Sequence, residues 1–270
     1  MSKNGQSLKD ALQSVFATSV IIIAFVIAIL IYKFVLGNPV NFEGMNPKGS
    51  PLAGNYMGMV YKGGFIVPLL ITIIIVLLTF VIERWLTLRK ARGTGAINAF
   101  VARLQTHLNN NEIEQAISAC DKQKGSIGNV MKAGLKKYKI LQTETHLDKD
   151  QKLVSLQKEF EEATALELPM LSRNLVFLST IASISVLIGL IGTVLGMIRA
   201  FSALAQAGAP DALALATGIS EALVNTAFGI TGSTLAIVFY NYFSTKIDAM
   251  TYKIDEAGFS LTQTFASQTK

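Results

Sequence analysis

The sequence is short of the residues on which most protein chemistry depends. It contains a single cysteine, Cys120, so an internal disulfide framework and a paired-cysteine metal site are excluded. Its two histidines, His107 and His146, lie far apart in polar segments, and we predict no metal site. It has no His-Glu-x-x-His and no Gly-x-Ser-x-Gly motif. We therefore predict a protein that is not an enzyme, with no catalytic residues and no cofactor.

Charge is also scarce, and this indicates a membrane protein. Only 16% of the 270 residues are charged, whereas 51% are hydrophobic. The mean hydropathy of +0.44 is too high for one ordinary soluble domain. The net charge of +6 does not indicate a nucleic-acid partner, because the basic residues are interleaved with acidic ones and lack interspersed stacking aromatics.

Four apolar stretches are long enough to cross a bilayer, for which about 18 residues are needed. We predict an all-α, polytopic membrane protein with four transmembrane helices, two of them long and extending into a helical cytoplasmic domain. The first stretch could instead be a signal peptide, but its apolar core is long and no small-x-small cleavage site follows directly, so a retained helix is favoured. The predicted spans are residues 15–36, 65–83, 174–205 and 213–245.

The distribution of basic residues predicts the orientation. Residues 83–175 contain fifteen of the twenty-four Lys and Arg, whereas the loop 37–64 has only Lys48 and Lys62. Basic residues concentrate in cytoplasmic segments, so the large loop and both termini are expected inside the cell. The predicted cytoplasmic segments are the N-terminus 1–14, the helical domain 84–173 and the C-terminal helix 246–270; the predicted external segments are the loop 37–64 and the turn 206–212.

Within the cytoplasmic domain, apolar residues recur at helical spacing. Ile97, Phe100, Val101, Leu104 and Leu108 would share one helical face. A second helix is expected at about 113–123, after two asparagines interrupt the first pattern.

The last two spans carry small residues at intervals of three and four, which would let neighbouring backbones approach closely. Thr217, Glu221 and Asn225 follow one another by single helical turns and share a side of the fourth span, with Thr226 on a neighbouring side. Thr193 lies beside the small-residue face of the third span. Glycine faces alone indicate helix packing; combined with Glu, Asn and Thr they favour a polar lumen. The glycines assigned to packing are Gly189, Gly192, Gly196, Gly229 and Gly232.

Glu221 is the only residue of the fourth span that is charged at pH 7, and it has two interpretations. It would either line the pore, attracting or relaying protons, or form an ion pair with a cation such as Arg199. The two roles can coexist. A proton path needs only hydroxyls, water and one carboxyl group, whereas a sodium path would need several convergent oxygens. Sodium remains the alternative ion.

Residues 189–201 (GLIGTVLGMIRAF) and 218–243 (GISEALVNTAFGITGSTLAIVFYNYF) resemble the signature of the MotA/TolQ/ExbB proton-channel family, and within it the ExbB branch most closely. The Gly-Thr-Val, the Glu-Ala-Leu, the threonine five residues after the glutamate and the terminal Tyr-Asn all fall in register. Three features depart from the ExbB pattern: the additional first span, Asn225 at a position where small apolar residues are common, and the loss of a proline near Ser233.

The resemblance implies a subunit of a bacterial inner-membrane complex, which makes the external segments periplasmic. It implies a homopentamer around two copies of an ExbD-like single-span subunit, driven by the proton motive force and acting on a TonB-like protein. Membrane lipid is the other expected partner. Thr193, Thr226 and Glu221 match the family's pore-lining residues. The predicted function is the energising of TonB-dependent outer-membrane transport; the alternatives are a Tol-type or motility stator subunit, or a non-conducting envelope scaffold.

Overall fold

The computed structural model describes residues 3–47, 49–206 and 212–268, and within these ranges the chain is helical, with one isolated bridge between Phe42 and Pro51 in place of a sheet. The predicted all-α fold class is confirmed. The α-helices are α1 (Lys3–Leu30), α2 (Tyr56–Tyr61), α3 (Ile66–Ala91), α4 (Ile97–Asn109), α5 (Ile113–Gln123), α6 (Gly125–Thr143), α7 (Lys149–Ser172), α8 (Leu175–Gln206) and α9 (Ala212–Gln268).

Four helical segments are long and apolar enough to cross a membrane, as predicted: Ala17–Leu36, Ile66–Ala91, Lys149–Ala203 and Leu213–Gln268. The first joins α1 to a π-helical segment, Ile31–Leu36. The longest single helix, α9, has 57 residues and continues without a break past the predicted boundary at 245. At about 1.5 Å per residue it measures roughly 85 Å. The predicted turn at 206–212 lies, apart from its two end residues, outside the described residues.

The chain forms two compact units: Met1–Ile82 with Phe177–Tyr240, and Glu83–Val176 with Asn241–Lys270. In the first unit, α8 and α9 approach through small residues. A Cβ placed on Gly189 would lie 3.0 Å from the Cα of Gly229, and one on Gly196 would lie 2.8 Å from the backbone nitrogen of Ala222. Larger side chains at these positions would force the helices apart.

The loop between the first two spans is more ordered than its composition suggests. The side chain of Asn41 donates hydrogen bonds to the carbonyls of Val35 and Leu36, at 2.9 and 3.0 Å. The ring of Phe42 is buried and contacts Tyr61 edge-on, with centroids 5.4 Å apart. The loop therefore packs onto the end of the first span, and it ends at Gly64, which has a φ of +77°.

The second unit has its own core of apolar helix faces. Of the five residues predicted to share the face of α4, Ile97, Phe100, Leu104 and Leu108 are buried and Val101 is half-buried. Helix α5 spans the residues expected of it. Helix α6 was not predicted as a separate helix, although its buried residues repeat every three to four positions, among them Ile127, Met131, Leu135 and Tyr138.

Candidate functional site

The first unit contains an ion pair between the last two spans. Arg199 on α8 donates from Nη1 to Oε1 of Glu221 on α9. The Glu221 side chain is only 6% exposed, whereas that of Arg199 is 48% exposed. The Arg199 guanidinium also lies over the ring of Phe65, 5.5 Å from its centroid. A carboxylate buried at this depth needs a cation beside it, and Arg199 supplies one.

Two glycines at the start of the second span complete this site, and neither was predicted from the sequence. A Cβ on Gly64 would overlap Oε1 of Glu221 and lie 3.1 Å from Nη1 of Arg199. The carbonyl of Gly63 accepts a hydrogen bond from Nδ2 of Asn225 at 2.9 Å. The only sequence signal was the Gly-Gly pair directly before an apolar run, which marks a turn rather than a site.

Asn225 lies one turn along α9 from Glu221 and is fully buried. A Cβ on the facing Gly192 would lie 2.7 Å from its Cγ, so the two helices are in close contact at this point. Among the described residues, Asn225 Oδ1 has no hydrogen-bond partner. Within the subunit, Asn225 is thus an interior residue that holds the Gly63 carbonyl.

Thr193 and Thr226 form a separate pair, in which their hydroxyl groups contact each other across α8 and α9. The Thr193 hydroxyl also donates to the carbonyl of Gly189 at 3.1 Å. Either hydroxyl of the pair can be the donor: Thr226 donates to Thr193 while Thr193 bonds to Gly189, and Thr193 donates to Thr226 when it turns away from that carbonyl. Thr193 further lines an apolar groove of about 620 Å³ along α8, together with Val194, Met197 and Phe201. This hydroxyl pair therefore borders an open surface of the subunit.

Thr217 lies with Glu221 and Arg199 around a cavity of about 400 Å³, to which Lys62 also contributes. Its hydroxyl donates to the carbonyl of Leu213, one turn back in the same helix, at 2.8 Å. The predicted site residues thus fall into three groups: Thr217, Glu221 and Arg199 at the cavity, Asn225 inside the helix packing, and Thr193 with Thr226 beside the groove. In the described ranges, no three His, Cys, Asp or Glu side chains form a cluster that could hold a metal ion.

Each glycine assigned to packing lies against the opposite helix. Gly189 faces Gly229, and Gly192 faces Asn225. Gly196 faces Gly218 and Ala222, and Gly232 faces Ser185. The close approach brings the Thr193 and Thr226 hydroxyls within bonding distance.

Four helices that could cross a membrane, with an ion pair and a hydroxyl pair between the last two, fit the class of multi-pass membrane proteins that move ions. The profile of the MotA/TolQ/ExbB proton channel family matches residues 122–256, half of the chain. The chain belongs to this family, which is a family of channels and not of enzymes. The predicted family is confirmed.

The related proteins carry two different names. The Tol-Pal system protein TolQ of Pseudomonas aeruginosa is 30% identical over 156 residues, covering 57% of this chain and 67% of the relative. TolQ of Haemophilus influenzae is 28% identical over 204 residues, or 73% and 87% of the two chains. The biopolymer transport protein ExbB of Salmonella typhimurium is 41% identical over 71 residues, only 26% and 29% of the two chains. The sequence identity to this ExbB is thus higher than to the two TolQ proteins, but it extends over a shorter segment.

Proposed function

We propose that this chain is the proton-channel subunit of an inner-membrane complex that uses the proton motive force to energise TonB-dependent outer-membrane transport. The observation that carries the proposal is the contact between the Thr193 and Thr226 hydroxyls, beside an open groove on α8. Either hydroxyl can donate to the other, and Thr193 can also donate to the carbonyl of Gly189, so the two hydroxyls form a short chain that can run in either direction. Such a chain, with water, can accept a proton at one end and release one at the other.

In this proposal the ion pair and the hydroxyl pair have different tasks. The Glu221 carboxylate is almost fully buried, contacts Arg199 and lies under Gly64. These contacts favour the pairing role, in which Glu221 fixes α9 against α8 and against the loop before α3. The hydroxyl pair is the part of the site that borders the groove and would meet a protonatable group on another chain.

The groove supports assembly with other chains. Val194, Ile198 and Phe201 are each more than half exposed along it. We propose that this face of α8 lines the pore of a homopentamer and contacts an ExbD-like single-span subunit, present in two copies. With the basic residues concentrated in 83–175, the termini and the helical domain lie in the cytoplasm and the loop 37–64 lies in the periplasm.

A Tol-type role is the second candidate, because the alignments to the two TolQ relatives extend over 156 and 204 residues, further than the one to ExbB. The partner's periplasmic domain distinguishes the two systems. A motility stator or a non-conducting scaffold would be a further alternative, and only the scaffold would carry no proton current.

The proposal is tested by purifying the tagged chain under mild conditions from its own host and weighing the intact complex by native mass spectrometry. A pentamer of the 29.1 kDa chain with two copies of a small single-span protein is the expected result. The complex is then placed in liposomes with a pH-sensitive dye inside, and an imposed proton gradient should discharge through it. Loss of TonB-dependent uptake on deletion of the gene supports the first candidate. An assembled complex that carries no protons would overturn the channel assignment.

A further inference from the structure

The second unit contains a cavity of about 640 Å³ between the last turns of α3, the start of α4 and a stretch of α9. Four basic residues line it: Arg89, Arg92, Lys246 and Lys253. None of its lining residues is acidic. The cavity therefore concentrates positive charge on a small area of the unit.

The four cations of this basic cavity are exposed and unpaired, unlike other basic residues of the same unit. Within the described ranges, no carboxylate lies within 4 Å of any of them. By contrast, Lys132 is paired with Asp121 and Lys139 with Glu114. Cations gathered without counter-charges create a local field that favours an anion.

Two aromatic residues indicate that the cavity lies at the level of the lipid headgroups. Trp85, the only tryptophan of the chain, is 51% exposed, and Tyr242 is 49% exposed. Arg89 lies over the Trp85 ring and Lys246 over the Tyr242 ring, each 5.6 Å from the centroid. Trp85 follows the apolar run of α3 by three residues, about 4.5 Å along the helix. Tryptophan and tyrosine at the ends of spans mark the level of the lipid headgroups.

The inner wall of the basic cavity is apolar. Phe243, Met250 and Ile97 line it and are at most 8% exposed. A small soluble anion would gain nothing from that wall. A phospholipid would, because its phosphate can meet the cations while its acyl chains cover apolar surface.

We infer that this basic cavity binds an anionic phospholipid, with the phosphate between Arg89 and Lys246 and the acyl chains against the apolar wall. The inference goes beyond proton conduction and does not depend on it. The lipid would hold the end of α3 and the stretch 242–253 of α9 together at the cytoplasmic surface.

The single tryptophan makes the site directly observable. The full-length oligomer is placed in phosphatidylcholine nanodiscs, and dibromo-phosphatidylglycerol is titrated in while Trp85 fluorescence is recorded. Quenching should be stronger, and at lower mole fraction, than with dibromo-phosphatidylcholine. Since a basic residue near an anionic lipid contributes about fivefold in binding, the double variant R89Q/K246Q should weaken the preference roughly 25-fold.

A matched control separates this site from general attraction to an anionic surface. The double variant K136Q/K149Q removes the same charge from α6 and α7, which contribute no residue to the lining of the cavity. It should keep the preference within about twofold, as should the charge-conserving R89K/K246R. Equal quenching by both lipids in the wild type, or equal losses in R89Q/K246Q and K136Q/K149Q, would overturn the inference. Displacement of the lipid by millimolar glycerol phosphate would also overturn it, because that result would indicate a site for a free phosphate. So would a cavity that the lipid cannot enter because a second copy of the chain covers it. Native mass spectrometry of each variant checks that the oligomer is intact.

Discussion

The backbone of Gly64 lies against the carboxylate of Glu221, so closely that any side chain at position 64 would overlap Oε1. Gly64 adopts a φ of +77°, in the left-handed region that favours glycine. The turn before α3 therefore covers the Glu221–Arg199 ion pair from one side. Three separate helices, α3, α8 and α9, are tied together at this point.

Replacing Gly64 with alanine should destabilise the first unit more than the backbone strain alone explains. Gly54 is a matched control, because it has the same φ of +77° and a Cβ there would meet nothing within 4 Å. Gly54→Ala should cost about 1–2 kcal/mol through left-handed strain. Gly64→Ala should cost about 1–3 kcal/mol more, because Glu221 must move. Unfolding in mixed micelles measures both, and equal costs would show that Gly64 does not restrain the ion pair.

The two partners of the ion pair should respond differently to substitution. Arg199→Met removes the cation paired with the Glu221 carboxylate, which is only 6% exposed, and should cost up to about 3–5 kcal/mol. Glu221→Gln leaves an amide oxygen that still accepts from Arg199, whose side chain is 48% exposed and can reach water, so about 1–2 kcal/mol is expected.

The double variant Arg199→Met/Glu221→Gln is the control for this asymmetry. It leaves no buried charge at this pair of positions and should recover part of the loss caused by Arg199→Met alone. Melting temperatures of the detergent-solubilised protein decide the order. A larger loss for Glu221→Gln than for Arg199→Met would argue that the carboxylate is hydrated and faces a lumen.

Much of the fold follows from local sequence patterns. Span length, the small-residue spacing of α8 and the position of Glu221 on α9 all depend on the helical repeat, which can be read from neighbouring residues. Arg199 could be predicted as the partner of Glu221, because a short turn joins the two spans and so places residues at similar depths side by side. The predicted pore-lining roles of Thr193 and Thr226 came from the family resemblance.

The rest of the site depends on contacts between distant parts of the chain. Gly63 and Asn225 are 162 residues apart, yet they share a buried hydrogen bond. No periodicity near Gly63 or Gly64 indicates which helix the turn will meet. Asn225 is fully buried within the subunit, because the facing Gly192 leaves room for its side chain, and its pore-lining role stays a prediction. Side-chain periodicity identifies a face but not the neighbour that covers it.

The second unit should lose stability above about pH 9. Burial raises the pKa of the Cys120 thiol from 9.0 to about 12. The folded chain then keeps a proton that the unfolded chain releases. The thiol therefore has no effect on the free energy of unfolding below pH 9 and lowers it as the pH rises toward 12. The slope for this thiol approaches about 1.4 kcal/mol per pH unit. Chemical unfolding followed by circular dichroism at pH 8, 9, 10 and 11 measures it.

Cys120→Ala should reduce that slope. It should also change the free energy of unfolding by an amount that is the same at every pH and smaller than the loss caused by the titration. The comparison uses slopes, because other groups also titrate in this range, including Tyr138, whose pKa burial raises to about 12. Identical slopes for the variant and the wild type would mean that the thiol reaches water in the folded state. Because Cys120 is the only cysteine, the rate of maleimide labelling gives an independent check.

The Thr193–Thr226 pair should behave as one relay in proton conduction. Thr193→Val and Thr226→Val preserve side-chain shape but remove a hydroxyl, and each should lower proton flux in liposomes by roughly 100-fold, the low end for a positioned proton-transfer group. Thr193→Ser keeps the hydroxyl and should retain most of the flux. Thr231→Val is the control, since the bond that the Thr231 hydroxyl makes among the described residues runs to the carbonyl of Ala227 in its own helix.

The double variant Thr193→Val/Thr226→Val provides the sharpest test of a shared path. If protons pass through both hydroxyls in series, removing the second adds little to the loss from the first, and the effects are far from additive. Independent contributions would instead multiply. Because the hydroxyls also join α8 to α9, each variant must first be shown to form the wild-type oligomer. If the double variant forms an intact oligomer with unchanged flux, the hydroxyl pair is a packing contact and the proton path lies elsewhere.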